Sequence, residues 1–154
     1  MRHLEFVTTI TAPVEVVFDT SLEVDVHTGS MAASGERAVG GVTSGRLHLD
    51  DEVTWQARHL GRSWRMTSRI TSHERPRYFV DEQVSGPFAV WRHAHHFEAR
   101  DGGVTVMRDV IDFAAPYWLL GRLAERLVLD TYMSRLIVTR NKHLAAICEA
   151  RHAA

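Results

Sequence analysis

Glu82, His93 and His95 are the side chains of this sequence best placed to do chemistry. They flank Gly86-Pro87 in the stretch Tyr78-Phe-Val-Asp-Glu-Gln-Val-Ser-Gly-Pro-Phe-Ala-Val-Trp-Arg-His-Ala-His-His-Phe97. A two-residue turn at Gly86-Pro87 pairs Ser85 with Phe88, Glu82 with Trp91 and Val80 with His93. Side chains alternate across a strand. One face then carries Tyr78, Val80, Glu82, Val84, Ala89, Trp91, His93, His95 and Phe97. The other face is solvated, with Asp81 opposite Arg92 as a cross-strand ion pair. A carboxylate and two imidazoles on an otherwise apolar face need partners or a purpose. The carboxylate can orient an imidazole and raise its pKa, while burial pushes the other way. Such a set can move protons in an aldol-type cyclisation or a dehydration. It can equally be a satisfied polar cluster that only shapes a cavity. As metal ligands the three form a weak pattern, because ten histidines make a chance His-x-His common. No metal and no cofactor are expected.

A second polar candidate is His27, with Ser30 and Met31 three and four residues on, one face of a short helix. It reads either as a gate residue or proton carrier at a cavity mouth, or as an ordinary surface histidine. Trp55, Trp64, Trp91 and Phe97 fit an aromatic lining or a core.

The elements that position these residues follow from periodicity. Leu4, Phe6, Val7 and Ile10 mark a first strand. Thr11 as N-cap and Pro13 in the first turn start a short helix to Leu22, and a second runs from Val24 to Ala32. Repeated glycines leave room for a short strand around Glu36–Val39. Strand patterns dominate from Leu47 to Ala114. One hairpin turns at Gly61-Arg62 and pairs His59 with Trp64, Ala57 with Met66, Trp55 with Ser68 and Val53 with Ile70. The strand Val104–Phe113 turns either face inward; the larger side chains of Thr105, Met107, Asp109, Ile111 and Phe113 favour theirs. Pro116 opens a long helix, Trp118 to Ala150. Leu120, Leu123, Ala124, Leu127, Thr131, Ser134, Ile137, Asn141 and Leu144 form its inner stripe, and Arg140 falls on the outer side.

The bulk properties narrow the function. The chain has 154 residues, one domain's worth, and a formal net charge of -1, which gives no electrostatic case for nucleic acid. It holds one cysteine, Cys148, read as a small apolar helix residue. No run approaches the ~20 apolar residues of a membrane span, and the N-terminal residues lack a signal-peptide pattern. A cytoplasmic protein, monomer or homodimer, is expected.

The order strand, two short helices, about six antiparallel strands and one long helix defines an α+β fold, with a curved sheet wrapped around the last helix. In that order, and in Thr11-Ala-Pro-Val-Glu-Val-Val-Phe18, Pro76-Arg-Tyr-Phe79, Gly86-Pro-Phe88 and Asp112-Phe-Ala-Ala-Pro-Tyr-Trp-Leu-Leu-Gly121, the chain resembles the START/Bet v 1-like (SRPBCC, helix-grip) superfamily. The nearest likeness is to bacterial polyketide cyclase/dehydrase-like and ligand-binding SRPBCC proteins. The resemblance spans residues 1–154 as a single domain. It implies a cavity between sheet and long helix that takes a hydrophobic, aromatic or polyketide-like small molecule. The expected lining is His27, Ser30, Met31, Trp55, His59, Trp64, Met66, Tyr78, Trp91, Phe97, Asp109, Leu123, Leu127 and Thr131. The alternative is a cyclase or dehydratase using Glu82, His93 and His95 as acid and base.

Overall fold

The computed structural model describes residues 1–115 and 123–154, with side chains of the last helix described from residue 127 onward. In chain order the elements are β1 (Arg2–Ile10), α1 (Val14–Ser21), α2 (Val24–Ser30), a single 3-10 turn (Ala32–Ser34), β2 (Arg37–Gly41), β3 (Glu52–His59), β4 (Arg62–Glu74), β5 (Tyr78–Ser85), β6 (Val90–Arg100), β7 (Val104–Ala114) and α3 (Leu123–Ala153). The strands form one antiparallel sheet in the order β1-β7-β6-β5-β4-β3-β2. α1, α2 and α3 pack together, and α3 lies against the inner face of the sheet. The expected opening of the long helix at Pro116 and Trp118 lies outside the described residues. α1 begins without the side-chain cap expected of Thr11; its N-cap residue is Pro13, and the Thr11 N–H instead donates to Glu149 Oε1. Among the described residues no helix is long and apolar enough to cross a membrane.

Two apolar clusters fill the interior. Ile10, Phe18, Phe79, Phe97, Met107, Leu144 and Cys148 form one, with Phe18 edge-on to both Phe79 and Phe97. Trp91, Ile111, Phe113, Leu129, Met133 and Ile137 form the other. The chain alternates between them within single elements. On β7 Asp109 stands between Met107 and Ile111; on β6 His93 and His95 stand between Trp91 and Phe97; on α3 Arg140 and Asn141 stand between Ile137 and Leu144. All five of these polar residues are buried. A polar belt therefore crosses the core from sheet to helix.

The inward face of β7 is Thr105, Met107, Asp109, Ile111 and Phe113, all buried. The stripe of α3 differs from the periodic expectation. Ile137, Asn141 and Leu144 do point inward, but Leu127 and Thr131 are exposed and Arg140 is buried. Leu129, Met133 and Ile137 set the true phase. The helix carries apolar residues on more than one side, so spacing alone admits both phases.

Two hairpin registers also differ, with unequal consequences. β3 and β4 turn at Leu60-Gly61, pairing His59 with Arg62 and Trp55 with Met66. This is a two-residue slip from the expected register, so every side chain keeps its face. Both turn residues are left-handed, with φ of 52° at Leu60 and 78° at Gly61, as a type I′ turn requires. Leucine is a poor occupant of that conformation, and here it is also exposed. Leu60→Asn should therefore stabilise the protein by about 0.5–1 kcal/mol. An unchanged or lower urea midpoint for this variant would contradict the turn assignment.

β5 and β6 pair Tyr78 with His96, Phe79 with His95, Asp81 with His93 and Glu82 with Arg92. Here the shift is one residue, and β5 exchanges its faces. The cause is local. Gln83 bridges the base of the turn, its Nε2 donating to Phe88 O at 2.8 Å and its Oε1 accepting from Phe88 N at 3.2 Å. A side-chain amide thus closes a wider loop where a tight Gly-Pro turn was expected. Glu82 turns outward beside Arg92 and Asp81 turns inward, so the expected Asp81–Arg92 pair does not form.

Candidate functional site

A cavity of about 100 Å³ lies between α2, the inner face of β3 to β6, and α3. Leu22, Val24, Leu47, Trp55, Met66, Ile70, Phe79, Trp91 and Ile137 give it apolar walls. Asp81, His93, His95 and Arg140 line one polar edge, and His27 with Glu36 line another.

The belt anchors the first edge. Asp109 is wholly buried and receives four contacts. Asn141 Nδ2 donates to its Oδ2 at 2.8 Å, Arg140 approaches Oδ1 at 3.4 Å, and His93 Nε2 and His95 Nδ1 lie 2.8 and 3.0 Å from Oδ1. The last contact lacks hydrogen-bond alignment, so His95 Nδ1 has no hydrogen-bond partner. Above Asp109 the two imidazoles stack, with centroids 3.8 Å apart, and Phe79 stacks on the far side of His95. His95 Nε2 reaches Asp81 Oδ2 at 3.0 Å, while Trp91 Nε1 donates to Asp81 Oδ1 at 3.4 Å. Adjacent strands make this possible: Asp81 and Asp109 come from the two neighbours of the strand that carries both histidines.

The electrostatics follow from that packing. Burial pushes His93 down, the neighbouring His95 adds to this, and Asp109 only partly opposes it, leaving a pKa of about 4. His93 is therefore neutral near pH 7. Burial alone would raise Asp81, but the His95 hydrogen bond and the charges of its basic neighbours hold it at about 2. Burial would also raise Asp109, but the His93 hydrogen bond and the charge of Arg140 outweigh it and hold the carboxyl well below the ordinary range. Among the described residues, two ionised carboxylates thus face one permanent cation, Arg140.

At the second edge His27 lies against Trp55, centroids 4.3 Å apart, with Nε2 3.5 Å from Glu36 Oε2. That oxygen is buried without a hydrogen-bond partner.

The other expected lining residues are dispersed. Trp55, Met66 and Trp91 do line the cavity. Ser30 is buried beside it and its hydroxyl donates to His27 O. Met31 is the C-cap of α2 and stands outside the lining. His59 bonds to Tyr132 OH at 2.7 Å, tying β3 to α3, and Trp64 donates to His59 O. Tyr78 faces outward, where its hydroxyl accepts from Arg92. Phe97 is in the apolar core and Asp109 lies beneath the histidines. Leu127 and Thr131 are exposed, and the Leu123 side chain lies outside the described residues. Sequence reasoning missed Asp81, Glu36 and Arg140 at the two polar edges, and Ser21, Glu23 and Ser68 elsewhere in the lining. Arg140 had a usable signal: it sits three residues after Ile137 and four before Leu144, on the inward edge of the helix.

Known structures share this architecture. The Zhui aromatase/cyclase of Streptomyces sp. R1128 matches with a TM-score of 0.76 at 19% identity, covering 97% of this chain and 94% of that one. The protein TTHA0849 of Thermus thermophilus matches with 0.73 at 15% identity, covering 95% and 99%. Major latex-like protein 151 of Panax ginseng matches with 0.64 at 14% identity, covering 96% and 97%. The chain has the Bet v 1-like helix-grip fold. At these identities the likeness speaks to the fold. No protein-family model matches the chain, and no curated protein matches it in sequence.

Proposed function

We propose that the protein binds a compact, mainly hydrophobic small molecule in the cavity between sheet and α3, held by one hydrogen-bonding group at the Asp81–His95 edge. The carrying observation is the cavity itself: apolar walls with a few convergent polar groups are the usual makeup of a small-molecule site. Drug-sized sites run to about 300–1,000 Å³. At about 100 Å³ this one suits a single aromatic ring better than a fused polyketide. Asp81 accepts but does not donate while ionised, so the favoured ligand offers a hydroxyl or N–H.

Phenol and toluene test this in the metal-free protein, by calorimetry and by tryptophan fluorescence from Trp55 and Trp91. Phenol should bind more tightly than toluene. Asp81→Asn should weaken phenol by about tenfold, the worth of one hydrogen bond to a charged group. Glu82→Gln, on the outer face, should leave it within about twofold, as expected for a surface change. Equal affinity for the two rings, or a larger loss at Glu82 than at Asp81, would exclude this mode of binding.

One observation supports an enzymatic reading beside it: a hydrogen-bonded carboxylate–imidazole pair, Asp81–His95, borders the cavity. As acid and base this pair replaces the one expected at Glu82. An enzyme would convert a ligand recovered from its source cell, and Asp81→Asn would remove about 10²–10⁴-fold of turnover while most binding survived.

A further inference from the structure

We propose that Asp81, His93 and His95 form a binding site for a first-row divalent transition-metal ion, open toward the cavity. The inference shares Asp81 and His95 with the small-molecule reading but is tested without an organic ligand.

Three features of the geometry carry it. First, one donor atom from each of the three side chains lies within 4.8 Å of the others. His95 Nε2 and His93 Nδ1 approach the same atom, Asp81 Oδ2, at 3.0 and 4.0 Å. Second, the opposite nitrogen of each ring faces one shared carboxylate oxygen, Asp109 Oδ1, at 2.8 Å from His93 and 3.0 Å from His95. Metal-binding histidines are typically arranged this way, one nitrogen toward the ion and the other held by an outer carboxylate that fixes the tautomer. Asp109 is itself fixed by Asn141 and Arg140, so the backing is rigid. Third, His95 Nδ1 is buried and lacks a hydrogen bond although Asp109 Oδ1 is close. Without an ion, His95 Nε2 must carry the proton to donate to Asp81. With an ion between Nε2 and Asp81, the proton moves to Nδ1, and a small ring rotation gives it Asp109 as acceptor. One ion then accounts for the orphaned nitrogen and for two histidines converging on one carboxylate oxygen.

The donor set selects the metal class. Two imidazole nitrogens and one carboxylate oxygen suit zinc, iron(II), cobalt(II) or nickel(II) over magnesium or calcium. Three protein ligands leave coordination positions free, as in open rather than structural sites. Those positions would face a cavity walled by Trp91, Met66 and Ile137.

The experiment uses the untagged full chain, stripped with a chelator and titrated with cobalt(II) under visible absorption and calorimetry. One equivalent should bind with micromolar or tighter affinity and intense visible bands of low-symmetry cobalt. His93→Gln and His95→Gln, verified as folded by circular dichroism, should each weaken it at least about 100-fold. Asp109→Asn should weaken it about 10–100-fold, the usual effect of losing an outer carboxylate. A wild-type readout covers variants that fail to fold: zinc should shift the ring nitrogens of His93 and His95 in the histidine NMR spectrum and leave those of His27 and His59 in place. Absence of stoichiometric cobalt uptake, uptake retained in folded His93→Gln, or zinc shifts confined to other histidines would each overturn the proposal. Phenol binding by the stripped chain is unaffected by any of these outcomes, so the two readings fail separately.

Discussion

Asp109→Ala should be the most damaging single change in the polar belt, costing about 3–5 kcal/mol, because it leaves the buried Arg140 without its contacting carboxylate. Asp109 is fully buried and Arg140 nearly so. After the substitution Arg140 keeps, among the described residues, the Asn141 Oδ1 contact at 2.9 Å; the ring N–H of His93 loses its acceptor, and Asn141 Nδ2 is left with Thr8 Oγ1 at 3.2 Å. The comparison that isolates the cause is the double variant Asp109→Leu/Arg140→Met. Replacing a buried pair by apolar groups of similar volume is often neutral, so the double variant should recover most of the loss. Urea unfolding measures both. If Asp109→Ala lost less than about 0.5 kcal/mol, the value of an ordinary surface change, the belt could not be anchored as described.

The fold was legible from the sequence because its signals are redundant. Six strands in succession, two short helices and one long helix admit few packings, and each element has its own periodicity. An error of two residues at the Leu60-Gly61 turn cost nothing, since alternation survives an even slip. The site was less legible because it depends on an odd one. Nothing in Gly86-Pro87 says that the carboxamide of Gln83 will close a wider loop, yet that side-chain bridge decides whether Glu82 or Asp81 meets the histidines. His93 and His95 kept their inward face because Trp91 and Phe97 on the same strand leave it no choice. On α3 the phase was ambiguous because Leu127 and Val128 are apolar yet exposed, which pulls the expected stripe off Leu129 and Met133. Arg140 was passed over for another reason: its spacing to Ile137 and Leu144 put it on the inward edge, but a charge there reads as outward until its carboxylate partner is known, and Asp109 comes from a strand thirty-one residues away.

Acid should destabilise the metal-free protein in two stages, the first well above the carboxylate range. His93 has a pKa of about 4 in the fold, against an ordinary value of 6.5. As pH falls through 6.5 the unfolded chain takes up a proton that the folded chain refuses until about 4. The stability this group contributes is therefore complete above pH 6.5 and lost progressively down to about 4, at a slope approaching about 1.4 kcal/mol per pH unit. His59 and His96 act in the same direction, since burial lowers both. The second stage belongs to the carboxylates. Asp81, held at about 2 against an ordinary 3.8, stays ionised in the fold while the unfolded chain protonates. Its contribution is present above 3.8 and disappears toward 2, with Asp109 adding to the same fall. Urea midpoints taken in chelator at pH 7.5, 5.5, 4.5 and 3 should thus decline at every step. His93→Gln has no proton to refuse, so it should flatten the decline between pH 6.5 and 4.5, leaving only the smaller parts due to His59 and His96. A wild-type midpoint constant from pH 7.5 to 4.5 would mean that His93 takes up its proton in the fold as readily as in the unfolded chain. A neutral imidazole stacked on His95 above Asp109 would then be the wrong description of the resting belt.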